Sequence, residues 1–305
     1  MTRAICIGEC MVELRRSAAG ELAHGFAGDA YNTAVYLKRS APEVDVQFLT
    51  VLGEDPFSLA MRGAWRAEGV GDALAYVSPH RRPGLYLIET DEAGERRFHY
   101  WRSESAARGW LRELRSHGGE NVLVGADLVY LSGISLAILT PADRSAALDM
   151  LRRLSGRVGR IAFDPNYRPA LWSSARAAQE ATDEALAAAD IVLPSGEDLE
   201  RLYGPKDPEA QLRLLREKGA REVALTATDS RCAVQTETPA WVTGPRAQTV
   251  IDTSGAGDSF NGGYLAARLR GASAEDAARA GLALAARVVS APGAIIPKSP
   301  ALESV

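Results

Sequence analysis

Along most of the chain short apolar runs alternate with longer stretches in which apolar residues return every three or four positions. Ala4 to Glu9 reads as a short buried strand ended at Gly8, and Met11 to Arg15 alternates apolar and polar like a half-exposed strand. Gly28 and a capping Asp29 then open a helix with Ala34 and Leu37 at inward spacing. Val46 to Gly53 is a further strand, and Asp55-Pro56 starts a helix that runs to Glu68 and stops at Gly69. From about residue 121 the rhythm is regular. Strands at 128–133, 160–164, 191–194 and 222–226 are separated by helices at 141–154, about 174–189, one capped by Ser195, and 211–218. Two more helices follow, one from Asp258 and one from Ala274 to about Val289. Strands spaced by helices of this length imply a mainly parallel sheet covered on both faces.

Residues 84–102 break the rhythm. Gly84 to Thr90, the turn Asp91-Glu92-Ala93-Gly94 and Glu95 to Arg102 form a hairpin whose second arm puts Phe98, Tyr100 and Arg102 on one face. Arg97, His99 and Trp101 fall on the other. An aromatic and cationic face on an excursion from an α/β chain suits a lid over a polar ligand. A two-sided hairpin lying on the core is the competing reading. With no repeat, low-complexity tract or linker, the chain reads as one domain over 1–305, with lid strands from about 10–27 and 84–103.

Composition narrows the function classes. The chain has 305 residues, 46% hydrophobic and 24% charged, with a net charge of -4. That balance argues against a nucleic-acid partner. No apolar run is long enough for a membrane span, and Glu9 interrupts the N-terminus before a signal-peptide core forms. Three cysteines (Cys6, Cys10, Cys232) and four histidines show neither a disulfide framework nor metal-ligand spacing. A cytoplasmic protein without a structural metal is expected.

The candidate chemistry lies at Val250-Ile251-Asp252-Thr253-Ser254-Gly255-Ala256-Gly257-Asp258. An apolar pair, read as the end of a strand, enters a turn of small residues at the start of a helix. Such a turn exposes successive backbone N–H groups at the positive end of the helix dipole, which favours a phosphate or a developing anion. Asp258, in the first turn, is placed to take a proton from an attacking hydroxyl. Tight packing and ordinary capping would leave the same pattern. The stretch is not a Walker A loop, because no Gly-Lys-Ser/Thr follows. Two further polar clusters, Asn166-Tyr167-Arg168 and Ser195 to Glu197, also follow strands, so all three gather at one sheet edge, where open parallel sheets bind ligands. A sugar-like substrate, a nucleotide and Mg²⁺ need about this inventory.

The run Asp252 to Phe260 resembles the signature of the ribokinase-like (pfkB) carbohydrate kinase superfamily. This implies a three-layer α/β fold with a mainly parallel central sheet and a small β lid. It also implies that Asp258 is the catalytic base and that the backbone of Gly255, Ala256, Gly257 and Asp258 forms the anion hole. Gly28-Asp29-Ala30-Tyr31-Asn32 resembles the superfamily's substrate motif. Ser195-Gly196-Glu197 is similar to the motif whose glutamate holds Mg²⁺ through water, with serine where asparagine is common. Gly8 to Leu14, Pro83 to Tyr86, Ile88 to Asp91, Tyr100-Trp101-Arg102, Leu131 to Leu139, Phe163 to Pro169 and Gly293 to Pro297 narrow the resemblance to the sugar-acid branch of that superfamily, and it runs from Ile5 to Pro297. By that likeness Gly28, Asp29, Asn32, Tyr86, Tyr100, Arg102 and Arg168 contact a small-molecule sugar acid, and Asn166 and Arg168 lie near the ATP phosphates. The implied reaction is ATP-dependent phosphorylation of 2-keto-3-deoxygluconate, as in Entner–Doudoroff catabolism. A planar guanidinium fork suits the sugar acid's carboxylate, so Arg102 and Arg168 are its expected hands.

One stretch departs from the pattern. Where the superfamily has Lys-x-Gly near the nucleotide phosphates, this chain has Thr226-Ala227-Thr228, and Arg231 is the nearby cation that could stand in for the lysine. Ser195, Thr226, Thr228, Arg231, Gly255 and Gly257 are thus expected around the nucleotide. The rival readings are a fructokinase-like kinase of a neutral sugar and a non-catalytic sugar-acid binding protein. The exposed lid is also a candidate interface between copies.

Overall fold

Successive residues of the inner strands point alternately into two apolar layers, and this builds the molecule. In a computed structural model of the chain, Ile5 and Ile7 of β1 (Arg3–Ile7) pack in one core with Leu49, Val129, Leu131 and Phe163. Ala4 and Cys6 pack in the other with Phe48, Leu128 and Tyr130. Strands buried on both faces read as continuous apolar runs, which is the pattern a parallel sheet between helical layers requires. The structure describes residues 1–16, 20, 22–90 and 96–298, so the hairpin turn expected at Asp91 to Gly94 lies outside the described residues.

After β1 the strands are β2 (Met11–Arg16), β3 (Leu22–Ala27), β4 (Asp45–Leu52), β5 (Ala75–Val77), β6 (Leu85–Thr90), β7 (Arg96–Trp101), β8 (Leu128–Ser132), β9 (Ile161–Asp164), β10 (Ile191–Val192), β11 (Glu222–Ala227), β12 (Arg231–Gln235) and β13 (Pro239–Thr243). The helices are α1 (Asp29–Ser40), α2 (Pro56–Glu68), α3 (Trp110–Ser116), α4 (Gly133–Ala137), α5 (Pro141–Leu154), α6 (Ala175–Ala188), α7 (Gly196–Tyr203), α8 (Pro208–Glu217), α9 (Ala256–Leu269) and α10 (Ala274–Val288). The large sheet has the order β13-β12-β11-β10-β9-β8-β1-β4-β5. It is parallel from β5 to β11 and ends in the antiparallel pair β12 and β13. The direction of winding reverses at β1, so a crevice opens at the carboxyl ends of β1 and β8. A second sheet, β3-β2-β6-β7, provides walls of the cavity found there.

Several local expectations need correcting. Asp29 is the first helical residue of α1 rather than its cap; Gly28, with no side chain to offer, holds the cap position, and the Asp29 carboxylate accepts from Asn166. Helix α8 begins at Pro208, earlier than 211, because Asp207 caps it through the Ala210 N–H. Strands β12 and β13 escaped the sequence reading: short antiparallel edge strands interrupt the strand–helix rhythm on which it relied. Val250 and Ile251 form no strand. Both are exposed, and the N–H groups of Ile251 and Asp252 donate to Val289 O at the end of α10. No helix among the described residues is long and apolar enough to cross a membrane.

Candidate active site

The turn into α9 is shaped by Gly255. Its φ of 74° lies in the left-handed region, and a Cβ there would sit 2.5 Å from Ala294 O, so only glycine fits. Asp252 braces the turn from both sides: its Oδ1 accepts from the Ser254 N–H at 2.7 Å and its Oδ2 from the Gly293 N–H at 2.8 Å. The 293–296 segment is itself strapped to α1 by Tyr36, whose hydroxyl donates to Ala294 O at 2.8 Å and accepts from the Ile296 N–H. Beyond Gly255 the first N–H groups of α9, at Gly257 and Asp258, have no partner within the helix and face the cleft with the positive end of its dipole.

Asp258 meets α1 because Gly262, one turn on, lets the two helices touch. A Cβ at Gly262 would lie 2.6 Å from Tyr36 Cβ and 2.9 Å from Thr33 O. This brings Asn32 Nδ2 to 2.7 Å from Asp258 Oδ2, where it donates. The Asp258 carboxyl is pushed up to about 7, chiefly by burial and then by the neighbouring Asp29 carboxylate, against the Asn32 hydrogen bond. Asp29 accepts from Asn166 Nδ2 at 2.8 Å. After β9 the chain turns sharply: the Asn166 N–H donates to Asp164 Oδ1 at 2.9 Å and Asn166 adopts φ 32°, a conformation asparagine tolerates. Asp164 is raised well above the usual carboxylate range by burial and by Asp198, Asp258 and Asp29.

Three cavities share walls at this point. The first, about 620 Å³, lies between the second sheet and α1, with Gly28, Asp29, Asn32 and Asp258 among its lining residues. Tyr86, Phe98, Tyr100 and Arg102 also line it, so the aromatic and cationic face of β7 points at the cavity and Trp101, 59% exposed, points away. Arg102 Nη2 donates to Glu9 Oε2, while Arg102 Nε and Glu9 Oε1 are buried without a partner among the described residues. The Tyr86 hydroxyl donates to Glu13, which also receives Arg15. Arg168 donates to Asp198 Oδ1 at 3.0 Å and to Tyr167 O. The two arginines expected to take a carboxylate are therefore both already paired with one.

The second cavity, about 440 Å³, shares Asn166, Arg168, Ser254, Gly255 and Asp258 with the first. Ser195 and Glu197 line it too. Ser195 caps α7 through the Asp198 N–H. Glu197 is exposed and holds Arg201, an engagement absent from the sequence expectation. The third cavity, about 460 Å³, shares Thr226, Ala256 and Gly257 with the second and is otherwise walled largely by apolar residues such as Ala247, Leu282 and Val289. Thr226 Oγ1 donates to Pro194 O. Thr228 is exposed in the turn after β11 and lines none of the three cavities. Arg231 corrects the expectation most clearly. Its guanidinium lies over the Trp241 ring at 5.0 Å, on the β12–β13 edge and outside the cavities. The cation that lines the third cavity is Arg246, 4.0 Å from Asp229.

Among the described residues no group of three or more acidic, histidine or cysteine side chains could hold a metal by itself. A Mg²⁺ that arrives on nucleotide phosphates needs only one or two carboxylates and water. Asp164, Asp198 and Glu197 in the second cavity fit that demand. Sequence reasoning missed Glu9, Glu13, Arg108, Asp164 and Arg246 at these cavities. Glu9, Glu13 and Asp164 lay inside the motifs Gly8 to Leu14 and Phe163 to Pro169 and could have been found there; Arg108 and Arg246 carry no local signal.

Comparison with known proteins agrees with this geometry. The profile of the pfkB family carbohydrate kinases matches residues 1–302, and the chain belongs to that family. The chain is 42% identical over 298 residues to the 2-dehydro-3-deoxygluconokinase of Escherichia coli K12, covering 96% of each. It is 42% identical over 297 residues to the enzyme of that name from Dickeya dadantii, covering 95% of this chain and 96% of that one. Among solved structures, fructokinase from Vibrio cholerae O395 in its fructose, ADP and calcium ion bound form superposes with a TM-score of 0.84 at 26% identity, covering 99% of this chain and 98% of that one. The fold is thus the ribokinase-like α/β arrangement expected.

Proposed function

We propose, for this member of the pfkB family, that it transfers a phosphoryl group from ATP to the terminal hydroxyl of 2-keto-3-deoxygluconate. The observation that carries the reading is the row of three joined cavities. One under the second sheet, where Arg102, Asn32, Tyr86 and Tyr100 stand among apolar side chains, suits a sugar acid; an N–H-lined one suits phosphates, and a largely apolar one suits a nucleotide base. Asp258 stands where the first two meet. The two relatives above, named for this substrate, supply its identity.

Gly28, Asp29, Asn32 and Tyr86 line the sugar cavity, and Tyr100 and Arg102 bring the second sheet's donors to the same ligand. Water held away from the reacting atoms by that sheet cannot compete as the acceptor. Asp258 accepts the hydroxyl proton as the sugar oxygen bonds to the γ-phosphorus and the bond to the departing ADP oxygen breaks. With a loose transition state the carboxylate works largely by aligning the hydroxyl. The Gly257 and Asp258 N–H groups and Arg168 stabilise charge on the transferring group. One or two of the carboxylates of Asp164, Asp198 and Glu197 would hold a Mg²⁺ that enters with the nucleotide, and it would supply further charge neutralisation. Asn166, Ser195 and Thr226 complete the phosphate cavity, and Arg246 takes the place Arg231 was expected to fill. We place the enzyme in the cytoplasm, in sugar-acid catabolism of the Entner–Doudoroff type, and the outward Trp101 face of the second sheet suits contact between copies.

The test is an ADP-release assay with 2-keto-3-deoxygluconate, its galactonate-series epimer and fructose. Turnover confined to the sugar acids is expected. Preference for fructose would replace the substrate, and binding of the sugar acid without ADP release would leave a binding protein.

A further inference from the structure

Charge is unevenly spread around the sugar cavity. Near Asp258 stand Asp29, Asp164 and Asp198, and the cation among them, Arg168, is held by Asp198. At the second sheet Glu9 and Arg102 form a buried pair that sums to zero. Arg108 remains. It sits on the 3-10 turn Ala106–Gly109 just after β7, is half-buried and lines the same cavity. Its side chain has no hydrogen-bond or ion-pair partner among the described residues. The turn is held in place: the Ala106 N–H donates to Arg82 O at 2.8 Å, and the indole of the adjoining Trp110 donates to Ser135 O at 2.9 Å. Arg144 lies close enough that its charge is disfavoured by burial and then by Arg108. Arg144 is itself committed to the carbonyls of Leu136, Ala137 and Leu139 and to the Trp172 ring.

We propose that Arg108 is the specificity-determining cation of this site, the group that draws the substrate carboxylate to its own wall of the cavity. This rests on the proposed sugar-acid substrate. An anion approaching Arg102 also meets Glu9, and one approaching Arg168 meets four carboxylates, whereas one approaching Arg108 meets an uncompensated guanidinium able to bind it bidentately. The same asymmetry orients the substrate. Its carboxylate is repelled from the Asp258 side, which leaves the far hydroxyl to point there. Arg102, neutralised by Glu9, then reads the uncharged oxygens, and the unpartnered Glu9 Oε1 is an acceptor for a hydroxyl.

The experiment compares wild type, Arg108→Gln and Arg108→Lys with 2-keto-3-deoxygluconate and with 3-deoxyfructose, the same chain bearing a hydroxymethyl in place of the carboxylate, used as a competitive ligand. Loss of a charged hydrogen-bonding partner predicts a rise in KM for the sugar acid of about 10- to 100-fold in Arg108→Gln. Arg108→Lys should recover most of it, with KM for ATP and the inhibition constant of 3-deoxyfructose unchanged. An unchanged KM for the acid, or equal losses on acid and neutral analogue, overturns the assignment. If Arg108→Gln does not fold, Arg108→Met is read in its place, and a ratio of acid to neutral affinity equal to that of wild type there overturns the assignment. Wild type inactive on the sugar acid overturns the substrate reading itself, whereas an active wild type with an indifferent Arg108→Gln overturns only the role of Arg108.

Discussion

The floor of the sugar cavity comes from residues 252–261, clamped between α1, α10 and the 293–296 segment, together with the start of α1 and the turn after β9. The roof comes from β2, β3, β6 and β7, with Phe98 43%, Tyr100 53% and Trp101 59% exposed. On the floor each polar group is held by another: Asn32 on Asp258, Asn166 on Asp29, Asn261 on Asp164. In the roof Arg102 Nε and Glu9 Oε1 are left without partners. A floor so constrained suits chemistry that requires fixed geometry whatever the sugar. A roof with spare donors and acceptors suits the choice of substrate. The comparison predicts that floor substitutions lower kcat and roof substitutions raise KM.

The largest effect tests the floor. Asp258→Asn should lower kcat by roughly 10²- to 10⁴-fold, the usual range for a lost general base, with KM for both substrates nearly unchanged in steady-state assays. Turnover like that of wild type would break the division. The next test is pH. Because Asp258 must be unprotonated to accept the hydroxyl proton and its carboxyl is pushed up to about 7, kcat/KM should fall about tenfold per pH unit below that value and level off above it. The sign for stability is opposite. A carboxyl raised in the folded state favours folding when protonated, and that contribution is lost as pH rises from the ordinary carboxylate range through about 7. Asp258→Asn should therefore melt higher than wild type at pH 8 and no higher at pH 4, which differential scanning calorimetry would read.

The roof comes next. Arg102→Ala should raise KM for the sugar acid by about 10-fold or more, since it also leaves Glu9 buried without its cation, while KM for ATP stays near wild type. Equal changes in both would make Arg102 structural. The smallest effect belongs to neither region. Arg246→Ala should raise KM for ATP by about threefold, as expected for an exposed charge, and the same change in Arg231→Ala would reverse their assignments.

The long helices and inner strands were legible because both faces of the sheet are buried, so periodicity reports them, whereas the short α3 and α4 span too few residues to show a period. Ser195 was readable as a cap because the signal is local, a serine just before a helical pattern. The turn at Gly255 was visible because small residues beside an acidic first turn are a contiguous signal. The exposed residues Val250 and Ile251 misled because two apolar residues before a turn imitate a strand end whether or not a neighbouring strand exists.

From its residues alone the chain determined the order of the inner strands and most helices, and the small-residue turn that places Asp258 in the first turn of a helix, since these depend on neighbours within a few positions. Only the tertiary structure decided which charges remain free. Whether Arg102, Arg108, Arg168, Arg231 or Arg246 faces a ligand with its charge unspent depends on Glu9, Asp198, Trp241 and Asp229. Some of these partners, such as Glu9, come from far along the chain. Charge compensation acts through space, over a few ångströms, and leaves no period or spacing in the sequence.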